Sequence, residues 1–191
     1  MLIRLSAWFY KISTAWVTLL FAGVFILFTA FVLPGQASQV EEDTGGGFTP
    51  DTSFFYTPSQ LYQAAEAYGP AGRQAFIHGH FTFDLAWPLI YTACLVTSVS
   101  WLLMRSLPSS SPWRLLNLLP LAAMVIDLLE NTATSLVIYR YPAATLLVDW
   151  LAPIFTMLKW ISIAGCLALL VGGMIMAIRQ IARSGSVLPL P

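Results

Sequence analysis

Residues 125–131 read VIDLLEN, which places two carboxylates and an amide inside a stretch otherwise suited to lipid. At 100° per residue, Asp127, Glu130, Asn131 and Thr134 share one helical face. A charge at membrane depth costs about 2.5–3.5 kcal/mol unless it faces protein or water and has a partner. The sequence offers Lys159. It lies ~14 Å along its helix from Trp150, while Glu130 lies ~15 Å from Arg140, at the rise of an α-helix. The two side chains are therefore expected to meet. An acid–lysine pair at that depth can lock two helices, bind a polar headgroup, or move a proton.

A second group precedes it. His80, Asp84, Pro88, Tyr91 and Ser98 fall on one face of the preceding apolar run. Asp84 lies ~31 Å from Arg105, which puts it at the membrane edge. Asp84, Asp127, Glu130, Asn131, Lys159, His80 and Tyr91 together form the candidate site, lining or organising a polar cavity. Three acids face one lysine, so Asp127 and Glu130 must share it, one of them keeping its proton, and Asp84 is left to stay hydrated or to lean on Arg73 or His80. His80 and Asp84 at i, i+4 could give two metal ligands and Glu130 a third, but His78 points elsewhere and no HExxH motif exists. No metal and no cofactor are expected. No GxSxG or other nucleophile array is present, so no catalytic residue is assigned.

These side chains need helices to hold them. The chain has 191 residues, 58% hydrophobic and 9% charged; soluble domains run at roughly 45–50% and about 25%. That excludes an ordinary soluble domain, and the lack of a Lys/Arg-rich block excludes nucleic acid as a partner. Four stretches suit a membrane span of about 20 residues, at about 13–33, 82–104, 115–138 and 151–178. The fold class is all-α: a four-transmembrane-helix bundle, one integral membrane domain over 1–191, whose principal partner is the lipid bilayer. Arg4, Lys11, Arg105, Arg114, Arg179 and Arg183 sort to one side, against Arg73 and Arg140 among acids on the other. Both termini are therefore expected to be cytoplasmic, in the inner or plasma membrane. The first span, too long for a signal-peptide core, is read as a retained anchor, although Gly35-Gln36-Ala37 is a possible cleavage site. Cys94 and Cys166 lie in apolar runs and form no CxxC pair, so both read as packing residues. Ala164, Ala168 and Gly172 read as a small-residue packing face.

Residues 34–81 form the extracytoplasmic loop. Its Gly-rich first half is expected to be irregular. TPSQLYQAAEAYGP then carries a short amphipathic helix: Thr57 caps, Pro58 takes the first position, Gln60 completes a capping box, and Gly69-Pro70 ends it. Leu61, Ala64, Ala65 and Tyr68 share a face that rests on the bundle or the membrane surface, so the helix is either a lid or an interfacial anchor. The chain then enters the second span as a helix weakened at Gly79.

YTPSQLYQAAEAYGPAGR before the second span, DLAWPLIYT opening it, DLLEN in the third and FTMLKW in the fourth resemble small, uncharacterised four-pass bacterial membrane proteins. That likeness implies four passes and no particular activity. His80-x-x-x-Asp84 with Glu130 is also similar in spirit to the emopamil-binding family of sterol isomerase-like proteins, which would imply a buried acid passing protons to an alkene. The expectation from all these features is a protein that binds, or helps move, a lipid-like or small amphipathic molecule. A proton-transfer enzyme and a structural or assembly subunit are the alternatives.

Overall fold

The computed structural model describes residues 1–185, with side chains for 1–179; Arg183, counted above among the basic residues, lies outside the described side chains. Among the described residues the chain is all-α: α1 Leu2–Ile12, α2 Ala15–Phe31, α3 Leu33–Thr44, α4 Pro58–Ala67, α5 Gly69–His80, α6 Phe83–Ser106, α7 Leu119–Arg140 and α8 Val148–Gly185, with 3-10 segments at Pro50–Thr52 and Pro112–Leu118. Four helical segments, Ala15–Thr44, Gly69–Ser106, Pro112–Arg140 and Val148–Arg179, are long and apolar enough to cross a membrane, as in a multi-pass membrane protein. At 1.5 Å per residue α8 spans ~57 Å, well beyond the ~30 Å of a hydrocarbon core.

Helices α6, α7 and α8 pack on one another, whereas α2 joins them chiefly through α6. No residue of α2 is buried. The seams that close tightly do so at glycines. A Cβ on Gly165 would sit 3.0 Å from a Leu119 methyl, and one on Gly173 would sit 3.0 Å from Leu102 Cβ. These are not the expected small residues: Ala164 and Ala168 are exposed, and a Cβ on Gly172 would meet nothing within 4 Å. Helical spacing alone does not say which small-residue stripe faces protein.

At the end of the bundle away from the 34–81 segment, α1 is tied down by a small polar knot. Ser6 Oγ donates to Asn117 Oδ1 at 2.7 Å, and Asn117 Nδ2 donates to Ser100 Oγ at 3.0 Å.

The 34–81 segment departs from expectation in its first half. Leu33–Thr44 is helical, with Pro34 in its first turn where a missing N–H costs nothing. Gly45, at φ 69°, ends the helix in the left-handed conformation that glycine tolerates best. The remainder matches. Thr57 and Gln60 form a full capping box, and Gly69 (φ 63°) begins the next helix. The chain breaks at Phe81–Thr82, two residues beyond Gly79, before α6.

Leu61, Ala64, Ala65 and Tyr68 are all buried, clustered with Tyr56 and Phe76 against Val137, Ile138 and Ala152 of α7 and α8. The short helix thus rests this face on the bundle, as part of a packed cap. Polar ties reinforce it: Tyr62 Oη donates to Asp149 Oδ2 at 3.1 Å and accepts from the Thr145 N–H at 2.8 Å. Burial pushes the Tyr56 and Tyr68 phenols up, so both stay neutral. Tyr68 Oη donates to Phe48 O at 2.6 Å.

Candidate functional site

The third and fourth spans meet where their polar faces were expected to. Lys159 forms an ion pair with Glu130 and lies 3.5 Å from Asp127 Oδ1. Glu130 is 0% exposed, and Asp127 and Lys159 are 6% each. Each carboxylate has further support. Thr156 Oγ1 donates to Glu130 Oε1 at 2.6 Å, with the Tyr56 hydroxyl 3.3 Å from the same threonine oxygen. Tyr91 Oη donates to Asp127 Oδ2 at 2.8 Å. Three helices, α6, α7 and α8, and the cap thus converge on one lysine, and a buried ion pair is tolerable only when its remaining lone pairs are met in this way.

Asn131 joins the site indirectly, its amide donating to the Asp84 carbonyl at 3.2 Å. Asp84 leans on His80, 3.7 Å away, and not on Arg73. The Arg73 guanidinium instead donates to Ala65 O at 2.8 Å and lies over the Tyr141 ring. His78 is exposed, as its position two residues before His80 requires.

One participant was missed. Asp51 Oδ2 sits 3.1 Å from His80 Nε2, delivered by the Pro50–Thr52 turn that follows Gly45 and Gly46. Burial works against the Asp51 carboxylate, but the His80 imidazole and, further off, Lys159 outweigh it and hold its pKa below the ordinary value. Asp51 is thus ionised near neutrality. Nothing local in GGGFTPDTS marks it; the one usable signal was a lone acid beside a turn-forming proline.

Beside these groups lies a cavity of about 840 Å³. Asp51, His80, Asp84, Asp127, Asn131 and Lys159 line its polar end. Phe25 of α2, Leu33 of α3, Trp87 of α6 and Leu167 and Leu170 of α8 supply apolar walls, and Gln36, Glu41 and Asp43 of α3 also border the space. It exists because α2 rests on α6 and leaves a space towards α8. Phe25 and Phe28 stack on Trp87, at 5.6 and 5.7 Å between ring centroids, and this fixes the standoff. Tyr91 also lines the cavity, whereas Glu130 does not: it lies sealed behind Lys159. Of the seven residues expected from sequence, six therefore face one space and the seventh holds one of them in place.

Searches against protein-family models, curated proteins and solved structures find no match to this chain, so what the site can do is argued from its geometry.

Proposed function

We propose that the chain is a multi-pass membrane protein that holds a lipid-like or small amphipathic molecule in the cavity between α2–α3, α6 and α8. The observation that carries this reading is one cavity bordered both by apolar walls and by the acid–lysine group. Aromatic and aliphatic walls from Phe25, Trp87, Leu167 and Leu170 share the space with Asp84, Asp127 and Lys159. Its size, about 840 Å³, lies within the ~300–1,000 Å³ of small-molecule sites, where apolar walls supply affinity and a few placed polar groups supply orientation. A single-tailed amphiphile suits it, tail along Trp87 and Leu167, head at Asp127. In this reading the basic residues at the α1 end face the cytoplasm, and the cap faces away from it.

A proton-transfer enzyme built on the Asp127–Glu130 pair is less well supported. Glu130 does not reach the cavity, and Lys159 holds both acids. His80 and Asp84 face Asp51, so the three residues of the emopamil-binding analogy have different partners.

Native mass spectrometry of the protein extracted in mild detergent tests the reading. Wild type is expected to carry one amphiphile per chain, and Cys94→Trp, which fills the cavity from α6, is expected to lose it while unfolding at the same temperature. No retained molecule in wild type, or equal retention in both, would count against it.

A further inference from the structure

His80 is buried, its ring held against Phe76 at 4.1 Å between centroids, and both its nitrogens are addressed. Nδ1 lies 2.9 Å from Ser135 Oγ, while Nε2 lies 3.1 Å from Asp51 Oδ2 and 3.7 Å from Asp84 Oδ2. One N–H cannot serve two carboxylates. Asp51 Oδ1 is moreover buried without a hydrogen-bond partner. Lys159 acts on this group only from a distance, since its ion pairs are with Asp127 and Glu130.

We propose that Asp51, His80 and Asp84 bind a divalent transition-metal ion of the zinc class, with a further coordination position turned towards the cavity. Their ligand atoms all lie within 4.8 Å of one another. Around a tetrahedral ion with bonds of ~2.0–2.1 Å, ligand atoms sit ~3.3–3.4 Å apart, and the distances of 3.1 and 3.7 Å from His80 Nε2 bracket that value. One imidazole and two carboxylates suit zinc, and three protein ligands leave the fourth position for water or a ligand group. Ser135 is the partner that a metal-bound histidine needs on its other nitrogen. Its hydroxyl can accept the Nδ1 proton when Nε2 holds an ion, and can donate to Nδ1 when the Nε2 proton turns to Asp51. This one hydroxyl serves both states without moving a helix. The expectation of no metal weighed Glu130 as the third ligand beside His80 and Asp84; the third ligand is instead Asp51, which enters from the cap. The site is complete without a bound amphiphile and stands independently of that proposal.

The test uses the full chain in detergent, stripped with a chelator and titrated with Zn²⁺ by calorimetry, with the metal counted by elemental analysis. One Zn²⁺ per chain is expected, and Asp51→Asn and Asp84→Asn should each weaken it at least ~10-fold while keeping the helical circular dichroism of wild type. If a variant does not fold, X-ray absorption of zinc-loaded wild type decides, with one nitrogen and otherwise oxygen neighbours expected. No saturable uptake by wild type, undiminished uptake in both variants, or a sulfur-containing ligand set would overturn the assignment.

Discussion

Lys159 is the shared counter-charge of two buried carboxylates. Replacing it with Met leaves Glu130, with no exposure at all, facing Asp127 without a counter-charge. Removing one member of a buried pair typically costs about 3–5 kcal/mol. Lys159→Met is therefore expected to destabilise the protein by about that amount in denaturant unfolding, and adding Glu130→Gln should restore part of the loss. Equal stability of Lys159→Met and wild type would show that the lysine is not the keystone of this cluster. Tyr91→Phe removes one of Asp127's two supports and is expected to cost less, about 1–3 kcal/mol. Much of this cluster was legible in the sequence. Depth along a helix is arithmetic, so Glu130 and Lys159 could be matched before any packing was known. Asp51 was not legible, because its approach to His80 depends on a turn, a cap and a sequence separation of 29.

At the scale of elements, the cap depends on two local devices of different legibility. The capping box of α4 is written in four consecutive residues, and Thr57→Ala should lower stability by about 1 kcal/mol, read as a shift in the unfolding midpoint. The contact between α3 and α5 is not local. A Cβ on Gly72 would sit 2.5 Å from the Asp43 carbonyl oxygen, a backbone atom that cannot yield without moving the end of α3. Gly72→Ala is thus expected to cost about 1–3 kcal/mol and to raise amide exchange across residues 43–52. Unchanged exchange there would mean that the cap tolerates a looser α3–α5 contact. Helix α3 itself escaped sequence reading, since Pro34, Gly35 and the glycines at 45–47 give it a loop-like composition. Its proline in the first turn and glycine at the end were, in fact, helix boundaries.

At the scale of the whole molecule, span count and fold class followed from composition and length, but the cavity did not. It arises from how α2 sits, on α6 and away from α8, and hydropathy carries no such information. The same arrangement places apolar walls beside the polar end where cap and membrane helices converge. An experimental structure of the protein in lipid nanodiscs tests this most directly. The account predicts elongated density between α2 and α8, running past Trp87 and ending within hydrogen-bond distance of Asp127 or Lys159. A structure in which α2 closes onto α8 and side chains fill that space would contradict it.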